Sequence, residues 1–362
     1  MKKIFYLFPT NRQKLIEEVK SGISPDNNLY GFNHFQKTFQ VDQTEISANL
    51  ERILNILFLP IVWIFSSRHT KLNFGRAILT MPQFWRADTV ITCVDSVNKA
   101  AAILKKLKLF PAPLICMVGN VMDGSEKFLR LHYWLWSGAD RIVTHAPVDQ
   151  EKLIKLGLED RGVMIPVGSD ERFWNITRLP RPAVGGTRND GQTPVVSVGA
   201  DRDRDYQTLF LAAAQLPKLK FIVCCGRKNV EDLKIPGNVE VKINVSPPAT
   251  REILSKANII VLPLKETNRA SGQLALVDAM LMGKPVIVSR TRGVVEAYGL
   301  IHQKHILLSE PGNAKDLAGN ILSLISNKKL RSDLAEVGKK LGLRYTTNKY
   351  AEKLKKIILA SS

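Results

Sequence analysis

From residue 88 onward, short apolar runs alternate with longer stretches of helical spacing. Asp88–Val94 (DTVITCV), Pro113–Gly119 (PLICMVG), Arg141–His145 and Gly162–Pro166 read as strands, and Ser96–Lys108, Ser125–Trp136 and Val148–Leu156 as the helices between them. This succession implies a parallel sheet with helices on both faces, a Rossmann-like domain placed at residues 1–176. The opening segment MKKIFYLFPTNRQ is apolar only from Ile4 to Pro9, too short for a signal peptide and suited to a first strand.

At 177–193 the pattern lapses into TRLPRPAVGGTRNDGQT, with two prolines, three glycines and no periodicity, and this stretch reads as an inter-domain linker. Alternation then restarts, with Val195–Gly199, Phe221–Cys225, Val239–Lys242, Ile259–Leu262 and Val286–Ser289 as strands and helical stretches such as Asp205–Gln215 and Gln273–Met282 between them. A second doubly wound domain is expected over 194–344. Ala314–Ile358 is helical throughout, and its last helix, 345–362, is expected to pack back on the first domain. The whole is an α/β chain of two Rossmann-like domains facing across a cleft, with ligands expected at the carboxyl ends of the sheets.

Composition narrows the class of partner. In 362 residues, 52 Lys and Arg against 33 Asp and Glu leave a net charge of +19. A folded chain so basic attracts nucleic acid, an anionic membrane leaflet or phosphorylated substrates. Cys93, Cys116, Cys224 and Cys225 lie inside apolar runs without ligand spacing, which suits reduced core thiols. The run Ile53–Phe65 (ILNILFLPIVWIF) is shorter than the roughly 18 to 20 apolar residues that cross a bilayer, so a transmembrane helix is not expected. Either it is a buried helix or it is a monotopic patch that dips Trp63 and Phe65 into a membrane interface. Arg68, Lys71, Arg76, Arg86, Lys99, Lys105, Lys106 and Lys108 follow it, against Asp88 and Asp95 only. Residues 53–108 are therefore the expected contact with an anionic membrane surface. The basic run Lys328–Lys356 is most simply a solvated helical face.

Three strand ends of the second domain carry candidate chemistry. After Ile259–Leu262 a polar loop leads to Ser271-Gly272 and the start of a helix, whose free amides can donate to a phosphate or to sugar hydroxyls. Asp278, two turns on, either accepts ribose hydroxyls or is a plain surface aspartate. One strand away, VVSVGADRDRDYQTL places Gly199, Arg202 and Arg204 before another helix, and Gly226-Arg227-Lys228 adds two cations at the same edge.

PVVSVGADRDRDYQTL, ANIIVLPL and ASGQLALVDAMLMGKPVIVSRTRGVVEAY, together with IPVGSDERFW at Ile165–Trp174, resemble the donor-nucleotide half of family 4 glycosyltransferases of the two-Rossmann (GT-B) fold. The resemblance implies donor binding by Gly199, Arg202, Arg204, Lys228, Ser271, Gly272, Gln273, Leu274 and Asp278. Asp278 matches the second of the family's two acids and Arg204 its phosphate-binding lysine, while Ala270 and Ala200 stand where the first acid and an arginine are usual. Glu266 and Asp123 are the candidate catalytic carboxylates, and Gly31, after Tyr30, matches the glycine turn near the acceptor. His132 and His145 are taken as structural.

The implied reaction is hexose transfer from a nucleoside diphosphate sugar, with retention and without metal or other cofactor, to a saccharide acceptor that is lipid-linked or membrane-proximal. The expected setting is the cytoplasm at the inner face of the cell membrane. A sugar-nucleotide epimerase on the same fold is one alternative. A basic nucleic-acid-binding protein is another, but no recognisable nucleic-acid-binding module is present, and nucleic acid is not the expected partner.

Overall fold

The structure is a computed structural model that describes residues 1–66, 71–122, 128–175, 194–267 and 269–361. The expected linker at 177–193 and the candidate Asp123 lie outside the described residues.

The chain divides into two compact units, one formed by Met1–Ser21, Asp26–Pro166 and Asn348–Ser362, the other by Gly22–Pro25 and Val167–Thr347. Among the described residues each unit holds one six-stranded sheet whose strand pairs are all parallel. In the first, β1 (Lys3–Leu7), β2 (Gln40–Gln43), β3 (Thr89–Cys93), β4 (Leu114–Met117), β5 (Arg141–Thr144) and β6 (Gly162–Met164) lie in the order β2-β1-β3-β4-β5-β6. Its helices before the second unit are α1 (Gln13–Lys20), α2 (Phe32–Phe35), α3 (Ala48–Leu57), α4 (Leu59–Phe65), α5 (Phe74–Leu79), α6 (Met81–Arg86), α7 (Asp95–Lys106), α8 (Leu129–Trp136) and α9 (Pro147–Lys155).

In the second sheet, β7 (Val195–Val198), β8 (Phe221–Cys225), β9 (Val239–Ile243), β10 (Ile259–Leu262), β11 (Val286–Ser289) and β12 (Leu307–Ser309) lie in the order β12-β11-β10-β7-β8-β9. The remaining helices are α10 (Tyr206–Ala214), α11 (Pro247–Ser255), α12 (Gln273–Leu281), α13 (Arg292–Tyr298), α14 (Ala314–Ser326), α15 (Lys328–Gly342) and α16 (Thr347–Ala360). The architecture is thus α/β with two doubly wound parallel sheets.

Burial on both faces explains why the strands read as unbroken apolar runs. Along β1, Phe5 and Leu7 join one core, while Ile4, Tyr6 and the following Phe8 join the core on the opposite face. All four residues of β10 are fully buried. Helix α16 completes the second of these cores: Tyr350, Ala351, Leu354 and Ile358 form one stripe that packs with Ile4, Tyr6 and Phe32. Lys2 Nζ donates to Ile358 O at 2.9 Å, which ties the two ends of the unit together.

Two strands escape the sequence pattern. β2 is a half-exposed edge strand, QVDQ, and β12 is three residues long, so neither has enough apolar length to stand out. The run Ile53–Phe65 is not a single buried helix. It breaks at Phe58 into α3 and α4, bent by 84°, with Pro60 in the first turn of α4 where its missing N–H is not needed. Among the described residues no single helix is long and apolar enough to cross a membrane.

The basic stretch behind that run is also corrected. Arg76 does not face outward: it is 3 % exposed and its guanidinium reaches Phe8 O at 2.7 Å, Glu51 Oε2 at 2.5 Å and Asn11 Oδ1 at 2.5 Å. Lys99 is buried as well, and Lys105 donates to the carbonyls of Pro111 and Ala112 at 2.7 and 2.8 Å. An arginine can be buried when its planar fork meets acceptors on several sides, and here α3 and the loop after β1 supply them. Arg68 lies outside the described residues, which leaves Lys71, Arg86, Lys106 and Lys108 exposed.

Truncating the α16 stripe should expose its structural weight. Leu354 is fully buried, so Leu354→Ala is expected to lower unfolding free energy by about 2–5 kcal/mol. The more than half-exposed Leu359 replaced by Ala should change it by about 0.5 kcal/mol or less, both read from urea unfolding. Equal effects of the two variants would contradict the packing described.

Candidate functional site

The second sheet reverses its winding between β7 and β10: β8 and β9 extend beyond β7, and β11 and β12 beyond β10. At such a switch point the loops at the carboxyl ends diverge, and α/β folds bind ligands there. Three loops meet at this edge, 199–205 after β7, 226–229 after β8 and 263–272 after β10.

The first loop is organised around one guanidinium. Gly199 has φ +143°, and a Cβ there would lie 2.1 Å from Arg204 Nε, so only glycine lets Arg204 fold back beneath the strand end. Arg204 is 5 % exposed, its Nε donates to Asp201 Oδ2 at 2.8 Å, and its Nη1 is buried with no acceptor. A buried donor in that condition is rare.

The loops after β7 and β10 are then zipped together through their backbones. Arg204 and Leu264 form an antiparallel bridge, Asp205 N donates to Pro263 O at 3.0 Å, and Lys265 N donates to Asp203 O at 2.8 Å. Asp203 collects the side chains: the Ser271 hydroxyl donates to it, and Arg269 Nε and Arg202 Nε stand 3.6 and 3.8 Å from its oxygens. The third loop is tied in by Asn229, whose Nδ2 donates to Asp201 O at 2.9 Å while its Oδ1 accepts from Gly226 N at 3.0 Å. Arg202, Arg227, Lys228 and Lys265 project from this edge as exposed cations.

The two helix starts at the site differ in character. Asp205 caps α10, accepting from Thr208 N at 3.1 Å and from Thr208 Oγ1 at 2.6 Å, so an acid already occupies that positive end. At α12 the capping position is Gly272, with φ +80° and no side chain to cap the helix.

The candidate residues therefore separate into groups. Gly199, Arg202, Arg204, Lys228, Ser271 and Gly272 come together on these three loops. Glu266 is exposed on the loop after β10. Gln273 turns inward, 2 % exposed, and its Nε2 donates to Gly293 O at 2.9 Å; Leu274 is half-buried. Asp278 is no surface aspartate. It is buried on α12, its Oδ1 accepts from the Ser169 hydroxyl, and burial lifts its carboxyl to about 8, with Asp170 pushing the same way.

The first unit has its own switch point, between β1 and β3. Val94, just past β3, has φ +82°, a conformation that a β-branched side chain strongly resists. The next residue, Asp95, opens α7 and accepts from Gly119 N at 3.0 Å, and enclosure raises its carboxyl to about 6. Nearby, Lys152 Nζ lies 2.9 Å from both Asp149 Oδ1 and Asn120 Oδ1, with Asp149 fully buried. Sequence reading passes over this cluster, although an acid directly after an apolar strand (TCVD) is the available signal. His145 Nδ1 pairs with Ile165 O at 3.0 Å in the core. Gly31 caps α2 with φ +89°, and the preceding Tyr30 carbonyl accepts from Tyr6 Oη at 3.0 Å. Among the described residues no three His, Cys, Asp or Glu side chains group as a metal site.

Two variants test this geometry. Gly199→Ala should displace Arg204 and lower unfolding free energy by about 1–3 kcal/mol, whereas Ala200→Gly on the same exposed loop should leave it nearly unchanged, both by urea unfolding. Asp278 keeps its proton in the folded state up to about pH 8 but loses it near pH 4 when unfolded. Stability is therefore lost as pH rises through that window, and Asp278→Asn should flatten the dependence of Tm on pH between 4 and 8. A wild-type profile no steeper than that of the variant would refute the neutral carboxyl.

Known proteins with related sequence or fold place this edge in context. The chain is 29 % identical over 133 residues to an uncharacterized glycosyltransferase of Methanocaldococcus jannaschii, covering 36 % of each chain. It is 31 % identical over 106 residues to an N,N'-diacetylbacillosaminyl-diphospho-undecaprenol alpha-1,3-N-acetylgalactosaminyltransferase of Campylobacter jejuni, covering 29 % of this chain and 27 % of that one. These matches thus span about a third of the relatives' length. Among solved structures, Anabaena HepE in complex with UDP-glucose superposes with a TM-score of 0.69 at 13 % identity, covering 99 % of this chain and 100 % of the other. Sucrose-phosphate synthase from Thermosynechococcus elongatus gives 0.68 at 16 %, covering all of both chains. The fold is therefore that of GT-B proteins, and residues 185–341, which carry the switch-point loops, match the family described as glycosyl transferases group 1.

Proposed function

We propose that the protein is a retaining hexosyltransferase that uses a nucleoside diphosphate sugar as donor and glycosylates a lipid-linked or membrane-proximal saccharide in cell-envelope or polysaccharide synthesis. The observation that carries this reading is the Arg204 guanidinium, buried beneath Gly199 with Nη1 lacking an acceptor, beside an uncapped helix start and several exposed cations. A diphosphate supplies the acceptor oxygens this edge lacks. The match of residues 185–341 to group 1 glycosyl transferases supports the same reading, and the diphospho-undecaprenol substrate in the name of the Campylobacter relative supports a lipid-linked acceptor.

In the transfer, the bond from the anomeric carbon to the diphosphate oxygen breaks, and a bond to an acceptor hydroxyl oxygen forms on the same face. The hydroxyl proton leaves with the diphosphate. Negative charge grows on the leaving group, so fixed donors aimed at it lower the barrier. Arg204, Arg202, Lys228 and the amides of Gly272, Gln273 and Leu274 take that role, and no metal is required of them. Ser271 and Asp203 hold the loop in place. Asp278, protonated at neutral pH, offers a ribose hydroxyl both a donor and an acceptor. Glu266 and Asp123 remain the carboxylates for sugar and acceptor, with Gly31 on the acceptor side, and the setting is the cytoplasmic face of the membrane.

A thermal-shift panel of nucleoside diphosphate sugars tests the donor assignment. One of them should raise Tm, and Lys228→Ala, on an exposed side chain, should weaken its binding about tenfold or more by removing a charge-assisted contact. If no sugar nucleotide shifts Tm, the donor site is wrong. Release of free nucleoside diphosphate marks transfer, whereas appearance of a new sugar nucleotide marks epimerisation.

A further inference from the structure

Helices α3 and α4 present one face inward and one outward. Phe58, Ile61, Val62 and Phe65 pack against the first unit's core, with the Phe58 and Phe74 rings 5.2 Å apart edge to face. The other face is bare: Trp63 is 79 % exposed, Leu57 69 % and Ile56 61 %, with Leu59 beside them. Phe65 stacks on Trp134 at 5.7 Å, which sets α4 next to α8, and there Phe128 and Tyr133 are also exposed. Scattered single apolar side chains on a surface need no explanation, but a joined set of this kind does.

The two stretches that carry the patch bear charge of a single sign. From Arg52 to Ala87, and again from Phe128 to Ala139, the chain contains no Asp or Glu. The flanking acid Glu51 is engaged by Arg76. Exposed Arg52, Lys71, Arg86 and Arg130 lie in these stretches and form no ion pair among the described residues.

We infer that the α3–α4 elbow and the exposed face of α8 dock shallowly into an anionic bilayer. The inference gives a location to the membrane contact of the proposed function and rests on that reading. Helices of 10 and 7 residues bent by 84° cannot cross the roughly 30 Å hydrocarbon layer, since even end to end they would extend only about 26 Å. Aromatic and aliphatic side chains at the elbow instead enter the interfacial region while the cations meet anionic headgroups. A second copy of the chain suits the patch less well. A two-fold contact would set the exposed cations of these stretches against their own copies, and like charges in an interface are unfavourable.

Flotation with lipid vesicles tests the inference. Wild-type protein should bind vesicles containing 30 mol % phosphatidylglycerol at least tenfold better than pure phosphatidylcholine vesicles, and added salt should weaken the binding. Leu57→Ser/Trp63→Ser, which alters only exposed side chains, should abolish flotation yet leave the sugar-nucleotide thermal shift intact. Flotation indifferent to lipid charge, or undiminished in the variant, overturns the proposal. So does a dimer in solution that the same variant dissociates. Loss of the thermal shift in wild-type protein with flotation preserved would instead count against the donor reading alone.

Discussion

Parallel pairing of β7 with β10 brings together two loops that are some sixty residues apart in the chain, and the candidate site is built on that constraint. A parallel ladder forces both strands to end at the same edge, so the residues after Val198 and after Leu262 leave the sheet side by side. Backbone bonds between Asp205 and Pro263, and between Lys265 and Asp203, continue the ladder a short way past the strands. They order the loop pair so that Asp203 can serve Ser271 and two arginines at once. Gly199 then decides where Arg204 goes, because the space a side chain would fill is taken by the guanidinium.

The first unit repeats the construction with different chemistry. Its switch point carries Val94 in a strained conformation and Asp95 with a raised carboxyl, next to the buried Asp149 paired with Lys152, where the second unit carries cations and a helix start without a side-chain cap. Two sheets of similar topology thus present edges of opposite character.

The net charge of +19 resolves into several uses. Arg76 and Lys99 are buried in the first unit, where they hold the fold together or meet internal acids, and Arg204 is buried at the site. Arg202, Arg227, Lys228 and Lys265 form the rim of the second unit's edge, while Arg52, Lys71, Arg86 and Arg130 lie in acid-free stretches around the exposed elbow. Counting cations along the chain could not separate these roles, since burial depends on which acceptors the fold supplies.

Much of the architecture was legible because parallel strands buried on both faces leave apolar runs such as VITC and IIVL that turn-rich segments punctuate. β2 and β12 were not, being edge strands held by neighbours and not by their own composition. At the site, strand-end glycines and clustered arginines marked the edge where three loops of the second unit meet. Only the tertiary structure showed that Asp205 caps one helix start while the other has no side-chain cap, that Asp278 is buried against Ser169, and that Arg76 lies inside. Local sequence determines which elements form, because propensity and apolar period act over a few residues. Which polar group is paired, buried or bare is decided by partners that arrive from sixty or a hundred residues away.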